Sequence, residues 1–355
     1  MKHNFGAGPC ILPQEVFQEA SQAVLNFNDT GLSILEISHR SKEFEAVMTE
    51  AEQLMRELLS VPQGYAVIFI QGGASTQFPL VPMNLLPEGG KAAYLDTGTW
   101  SSKAIKEAKK FGEVVVVASS ADKNYSYVPK SYEVPADAAY LHYTSNNTIF
   151  GTEIFEAPKT SIPLVSDMSS DILSRKINVA DYGLIYAGLQ KNVGPAGAAA
   201  VIVKEELLGK TGRTMPTIFD YQSHINARSM YHTPPVFAIY VAMLNLRWLK
   251  NKGGVSVIEQ ENIIKARTLY DEIDRNTLFK GTAQVEDRSR MNVTFVTEDK
   301  AHEAAFLELA KERGLVGLKG HRSVGGFRAS IYNALSITGV NALVDTMQEF
   351  EEKNK

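Results

Sequence analysis

Ala187-Gly188-Leu189-Gln190-Lys191-Asn192-Val193-Gly194-Pro195-Ala196-Gly197 follows the apolar run Leu184-Ile185-Tyr186-Ala187 and leads into a second apolar run over 198–203. The pattern reads as strand, glycine- and proline-rich turn, strand, with an amine held in the turn. A solvated surface lysine is the commonest state of the residue. A lysine whose pKa is lowered by desolvation or a neighbouring charge is also the nucleophile used for Schiff-base chemistry. An acid upstream favours the second reading. Ile162-Pro163-Leu164-Val165-Ser166-Asp167 is an apolar run ending in a carboxylate, 24 residues before Lys191. Two parallel strands ending side by side would present both groups at one rim of a sheet. An Asp at a strand end is more often a turn or cap residue. As a pair, however, the two are what pyridoxal phosphate requires: a lysine to hold it, and an Asp to keep its pyridine nitrogen protonated so that the ring can take up carbanion electrons.

Outward from this stretch, strand-length apolar runs recur at 65–70, 92–95, 114–117, 139–143 and 163–166, with helical or loop stretches between several of them. That alternation predicts an α/β fold with a mostly parallel sheet flanked by helices. Residues 43–60 carry Phe44, Val47, Met48, Ala51, Leu54, Met55, Leu58 and Leu59 on one helical stripe, ended by Val61-Pro62. After the 65–70 run, Gln71-Gly72-Gly73-Ala74-Ser75-Thr76-Gln77 opens a further helix. A glycine loop from a buried strand into a helix N-terminus is a ready phosphate cradle, since the first-turn amides are free and the dipole is positive there. Two other glycine motifs are discounted. Gly6-Ala7-Gly8-Pro9 lacks the preceding strand and the third glycine of a dinucleotide loop, and Gly209-Lys210-Thr211 has Lys204 where a P-loop needs glycine.

A helix is expected after Thr233-Pro234-Pro235 and a hinge at Gly253-Gly254. Beyond the hinge lie a helix over 255–273, a strand over 291–296, a helix over 301–313, a strand over 326–331 and a last helix over 340–350. This is the pattern of a separate, smaller α/β domain. A chain of 355 residues has room for both. A net charge of −4 offers no electrostatic ground for a nucleic-acid or membrane partner. The single cysteine, Cys10, rules out a disulfide framework and a cysteine zinc cluster, no metal site is expected, and the chain reads as cytoplasmic.

The segment from Tyr186 to Gly197 closely resembles the cofactor-lysine segment of the phosphoserine aminotransferase family. The resemblance continues in Asn4-Phe5-Gly6-Ala7-Gly8-Pro9, in Ser38-His39-Arg40 with Lys42-Glu43-Phe44, in Gly317-Leu318-Lys319-Gly320-His321-Arg322, and in Gly326-Phe327-Arg328-Ala329-Ser330-Ile331-Tyr332-Asn333-Ala334. Several long motifs in order, over nearly the whole chain, are far more specific than one. The resemblance implies the type I fold of pyridoxal-phosphate-dependent transferases. A large domain over 16–253 would hold the mainly parallel sheet, a small C-terminal domain would comprise 254–355 with the N-terminal segment 1–15, and a homodimer would share its sites across the interface.

Carried over position by position, the resemblance implies that Lys191 holds the cofactor and shuttles the reacting proton, and that Asp167 pairs with the ring nitrogen. Trp100 would stack on the ring, which by residue type alone would be a core aromatic, and Thr148 would lie near the ring oxygen. The amides of Ala74 and Ser75, Gln190, and His232 and Thr233 of the other subunit would hold the cofactor phosphate. His39, Arg40, His321, Arg322 and Arg328 would bind the substrate's anionic groups, Arg328 taking the α-carboxylate; arginine suits both carboxylate and phosphate because it binds them through paired hydrogen bonds. Many bacterial members carry arginine where this chain has Ser75, and asparagine where it has His232. The implied reaction moves an amino group between glutamate and 3-phosphohydroxypyruvate in serine biosynthesis, with a related phosphorylated hydroxy-oxo acid on the route to pyridoxine as second substrate. Another aminotransferase or a lyase of the same fold, and a cofactor-free binding protein, are the rivals. The arginine and histidine set argues against a lyase acting on small neutral amino acids, and the intact Lys191 and Asp167 argue against the binding protein.

Overall fold

The runs on either side of Lys191 pair antiparallel, with Ala187 opposite Ala200, and so form the expected hairpin. They belong to a computed structural model that describes residues 2–354. The strands are β1 (His3–Asn4), β2 (Tyr65–Gly72), β3 (Lys91–Asp96), β4 (Glu113–Ser119), β5 (Leu141–Thr144), β6 (Leu164–Asp167), β7 (Leu184–Gly188), β8 (Gly197–Lys204), β9 (Phe279–Gly281), β10 (Asn292–Thr297), β11 (Leu315–Val316) and β12 (Phe327–Ser330). The α-helices are α1 (Gln14–Leu25), α2 (Lys42–Leu59), α3 (Ala74–Leu85), α4 (Thr99–Ala108), α5 (Tyr221–Asn226), α6 (Val236–Asn251), α7 (Gly254–Arg275), α8 (Ala301–Glu312) and α9 (Ile337–Asn354).

Strands β2 to β8 make one seven-stranded sheet in the order β2-β8-β7-β6-β5-β3-β4. All neighbours from β7 to β4 run parallel, and β8 alone runs against both of its neighbours. Successive residues of a strand face opposite sides, and two apolar layers follow from that alternation. Val67, Phe69, Leu141, Tyr143, Ile185, Ala187 and Ala200 pack on one face with α1, α2 and α6. Ala66, Ile68, Tyr140, Val165, Leu184, Tyr186 and Val201 pack on the other with α3 and α4. Strands covered on both faces are apolar almost throughout, which is why β6 to β8 were visible as continuous runs.

The helix expected over 43–60 is α2, one residue earlier at each end. The Ser41 hydroxyl accepts the Phe44 amide at 3.3 Å, and Ser60, in the left-handed region at φ 52°, closes the helix. Gly253 and Gly254 take φ values of 109° and 74° between α6 and α7, a turn that L side chains rarely adopt. Beyond them β9, β10 and β12 form an antiparallel sheet in the order β12-β10-β9, while β1 pairs parallel with β11. Phe5, Phe279, Phe295, Phe306, Phe327 and Phe350 fill a separate core against α7, α8 and α9. Helix α7 serves both bodies: Val255 and Ile258 pack with the large sheet, Ala266, Leu269 and Ile273 with the phenylalanine core. On this distribution we propose the division into a large domain, 16–253, and a small one, 254–355 with 1–15. Among the described residues no helix is long and apolar enough to cross a membrane.

Candidate active site

The rim where β5, β6 and β7 end is where chemistry gathers. In register, Thr144 stands beside Asp167 and Asp167 beside Tyr186. Lys191 lies three residues past the end of β7, within the turn, where its amide bonds to the Leu189 carbonyl at 2.8 Å. That turn swings the amine back over the strand ends. Ser169 ties the two strands: its hydroxyl donates to Asp167 Oδ1 at 2.6 Å and accepts the Gly188 amide at 3.0 Å, and its own amide reaches the same Oδ1 at 2.9 Å.

Lys191 is buried, and its Nζ donates to Thr148 Oγ1 at 2.6 Å. Burial pushes the amine's pKa down to about 8; the Asp167 carboxylate opposes the fall and the Arg328 charge assists it. Asp167 is likewise buried, and burial raises its pKa against the Ser169 donors, the Lys191 charge and the Tyr186 hydroxyl. A carboxylate so placed gains from a further cation at its side.

Both groups open on a cavity of about 370 Å³, also lined by Ala74, Ser75, Trp100, Thr148, Gln190, His321 and Arg328. No side chain caps α3 at Gly73, so the first-turn amides, which have no partner inside a helix, begin at the cavity wall. Trp100 reaches it from the first turn of α4. Gly98, at φ 157°, leads into that turn, and a Cβ there would overlap the Asn147 amide. The Trp100 Nε1 is buried with no hydrogen-bond partner among the described residues. Arg328 enters from β12, its Nη1 donating to the Thr148 carbonyl at 3.3 Å. Burial lowers its pKa, its Nε has no hydrogen-bond partner, and no acid pairs with it among the described residues. A half-buried guanidinium with no acid beside it is a site for an anion.

Nine of the residues singled out in the sequence therefore line one cavity. The other five stand elsewhere in this chain. His232 bonds through Nε2 to Gln71 Oε1 at 3.0 Å, and its ring lies 5.6 Å from that of His224. Burial lowers its pKa, followed by the charges of His224 and His39. Arg40, Thr233 and Arg322 are exposed. Several lining residues escaped the sequence reading. The discounted glycine segment at the N-terminus contributes Ala7 and Gly8; Gly8 comes so close that a Cβ would touch Gln190 and Lys191 side chains at 3.4 and 3.5 Å. Next to it Cys10 donates its thiol to the Lys191 carbonyl at 2.7 Å. Thr144, Asn146, Ser169 and Ser170 also line the cavity. Asp167-Met168-Ser169 is a recognisable Asx-turn spacing, and was the one available signal for Ser169.

The residues present fit pyridoxal phosphate on this geometry. They offer a desolvated amine, a buried carboxylate short of a cation, an aromatic face with an unpartnered nitrogen, and an uncapped helix start for a phosphate. Among the described residues no group of three or more histidine, cysteine or acidic side chains is arranged to hold a metal ion.

The model of one family, aminotransferase class-V, matches residues 3–343. The chain is 62% identical over 353 residues to the phosphoserine aminotransferase of Flavobacterium johnsoniae and 58% identical over 353 residues to that of Bacteroides thetaiotaomicron, covering 99% of this chain and of each relative. Among solved structures, the phosphoserine aminotransferase of Bacillus circulans subsp. alkalophilus superposes with a TM-score of 0.97 at 45% identity, covering 100% of this chain and 99% of the other. A pyridoxal-phosphate-bound phosphoserine aminotransferase from Trichomonas vaginalis gives 0.94 at 38% identity, covering 98% and 100%.

Proposed function

The chain belongs to the phosphoserine aminotransferase family of class-V aminotransferases, and on that premise we propose that it exchanges an amino group between L-glutamate and 3-phosphohydroxypyruvate, giving O-phospho-L-serine and 2-oxoglutarate. It has the fold of the pyridoxal-phosphate-dependent transferases and is a transaminase of that class. The observation that carries the substrate reading is the pairing of Lys191 and Asp167 at one rim with Arg328, which meets no acid among the described residues, in the lining of the same cavity.

When bound, pyridoxal phosphate supplies an electron sink for a carbanion at the substrate's Cα. In this proposal Lys191 Nζ would hold the cofactor and would serve as the base that moves the substrate's Cα proton. Its lowered pKa suits that task, since proton transfer is best served by a group titrating near the working pH. Asp167 would pair with the ring nitrogen and favour its protonated form. Trp100 would stack on the cofactor, and Thr148, already bonded to Lys191 Nζ, would offer it a hydroxyl. The amides of Ala74 and Ser75 with Gln190 hold the phosphate. Arg328 binds the α-carboxylate and orients Cα toward Lys191. His321 and Arg322 supply cationic or donor groups for the substrate's far anion.

His39, Arg40, His232 and Thr233 act, in this reading, in the cavity of a second subunit, so the working unit is a homodimer with shared sites. The reading extends to a phosphorylated hydroxy-oxo acid of the pyridoxine route, which has the same two anionic ends. It includes a cytoplasmic setting, in keeping with a free thiol at Cys10. A coupled assay with phosphoserine and 2-oxoglutarate tests the proposal. Turnover of phosphoserine far above that of serine is expected, and equal or absent turnover would remove the substrate assignment while leaving the transaminase.

A further inference from the structure

Arg328 sits on a strand pair whose residues alternate in type: Asn292-Val293-Thr294-Phe295 in β10 and Phe327-Arg328-Ala329-Ser330 in β12. Successive side chains of a strand point to opposite faces, and those directly opposite on paired strands share one. In register, Asn292 stands opposite Ser330, Thr294 opposite Arg328, and Phe295 opposite Phe327. Val293, Phe295, Phe327 and Ala329 belong to the phenylalanine core. Asn292, Thr294, Arg328 and Ser330 make the other face, which is polar and turned toward the cavity wall.

That face is fastened to one short segment, 146–150, beyond the end of β5. Asn292 Oδ1 accepts Asn146 Nδ2 at 2.7 Å, and its Nδ2 donates to Ser330 Oγ at 3.0 Å and Tyr332 Oη at 3.1 Å. From the other side, Asn146 Oδ1 accepts the Ser289 hydroxyl at 2.5 Å, and Ser289 Oγ in turn accepts the Met291 and Asn292 amides. All of these side chains but that of Met291, which gives only its amide, are polar, and all are buried. Two residues along β10, Thr294 Oγ1 donates to the Phe150 carbonyl at 3.0 Å, and Gly151 passes so close that a Cβ there would overlap that oxygen. The same segment touches both ends of the proposed chemistry: Thr148 Oγ1 accepts Lys191 Nζ at 2.6 Å, and the Thr148 carbonyl accepts Arg328 Nη1 at 3.3 Å. A buried network with its donors and acceptors paired has one arrangement, because a shift of either side strands polar groups at a cost that apolar contacts would not incur.

We propose that Asn292 and Thr294 are positioning residues for substrate binding: they fasten β10 to the cavity wall at 146–150 and so fix the reach of Arg328, on the paired strand, to the rim that holds Lys191. Neither residue lines the cavity, so both act through Arg328. The inference deepens the transaminase reading and rests on its assignment of the substrate α-carboxylate to Arg328. The carboxylate anchor then stands at its working distance from Lys191 before substrate arrives.

The test uses the holoenzyme with Asn292→Leu, with the volume-conserving Thr294→Val, and with each of these combined with Arg328→Ala. A misplacement of 1 Å or so can cost up to about a hundredfold. In Asn292→Leu, KM for glutamate and for phosphoserine, which share the α-carboxylate, should rise together by about tenfold, with kcat changing far less. Thr294→Val should show the same pattern at smaller size; it removes one hydroxyl, and it decides the matter should Asn292→Leu not fold. Arg328→Ala should raise both KM values by at least as much, and adding either substitution to it should change nothing further, because residues that act through one group are not additive. Equal losses with and without Arg328 would make Asn292 and Thr294 general supports of β10 and overturn the proposal. KM values unchanged in both single variants would overturn it as well, since Arg328 would then keep its place without them. If Arg328→Ala itself leaves KM unchanged, the α-carboxylate assignment has failed and the positioning role falls with it. A wild-type enzyme that transaminates glutamate but ignores phosphoserine would end the phosphoserine reading alone, because the KM for glutamate still decides the role of Asn292 and Thr294.

Discussion

At the scale of single residues, the chemistry turns on where two protons sit. Burial sets the Lys191 amine at about 8, with Asp167 opposing the fall and Arg328 adding to it. Below that value Nζ is protonated and cannot attack an aldehyde; above it the amine is free. At pH 7 the reactive fraction is about one in ten, against fewer than one in a thousand for an ordinary lysine. The rate at which apoenzyme captures added pyridoxal phosphate, followed by absorbance without substrate, should therefore climb about tenfold per pH unit below 8 and level off above it. A rate still climbing to 10 would contradict the desolvated state of Lys191. Asp167 stands in the opposite relation to burial, which makes its ionised form costly until a cation is near. Asp167→Asn keeps the shape but cannot favour a protonated ring nitrogen. We expect a loss of about 10² in kcat, ~3 kcal/mol, at full cofactor occupancy; an unchanged kcat would remove Asp167 from the mechanism. Both residues were legible in the sequence as polar groups ending apolar runs. Ser169, which orients Asp167 and ties it to the Gly188 amide, showed only as an Asx-turn spacing, because a serine two residues past a carboxylate has no chemistry of its own to announce.

At the scale of elements, the long apolar strands and α2, α6 and α7 could be read from periodicity, whereas β1, β9 and β11, of two or three residues each, are too short to carry a period. The hairpin of β7 and β8 was visible from its turn, yet the direction of β8 within the sheet rests on pairing with β2, more than a hundred residues earlier in the chain. Helix α7 shows how an element far from the cavity supports it. Lys265 is 2% exposed, and its Nζ donates to the carbonyls of Ile331, Tyr332 and Leu335 at 3.0, 2.8 and 3.0 Å. The turn it holds sends the Tyr332 hydroxyl to the Ala7 carbonyl at 2.8 Å and the Asn333 amide to Asn192 Oδ1 at 3.0 Å, next to Lys191. Lys265→Met fills similar volume but leaves three carbonyls without donors. Denaturant unfolding should show a loss of about 3 kcal/mol, and a variant within 0.5 kcal/mol or so of wild type would mean that water replaces the amine freely.

At the scale of the whole molecule, four of the predicted site residues outside the cavity, His39, Arg40, His232 and Thr233, ask for a second copy. The segments that carry His39 and His232, with the helix before them, also expose Phe17, Leu25, Leu32, Leu35, Phe219 and Tyr231, large apolar side chains between 38% and 75% accessible. An exposed set of that size marks an interaction face. If two chains exchange these segments, an inactive Lys191→Ala chain mixed with an inactive Thr233→Asp chain should regain activity through hybrid dimers. Random pairing puts one intact site in half the dimers, so about a quarter of wild-type activity is expected. No recovery after verified subunit exchange, or full activity in a species of single-chain mass, would refute the shared site.

Residue order by itself determined the α/β alternation, the hairpin around Lys191, the carboxylate at the end of the neighbouring run, and the break at Gly253-Gly254. These depend on spacing and residue type within a dozen positions, which a chain displays without folding. Only the tertiary structure decided that Gly8 and Cys10 lie against Lys191, that Arg328 meets no acid, and that His39 and His232 stand apart from the cavity of their own chain. Each of those is a meeting of segments separated along the chain or a property of what surrounds a side chain. Burial and distance arise from packing, and packing sums contacts that no local window of sequence contains.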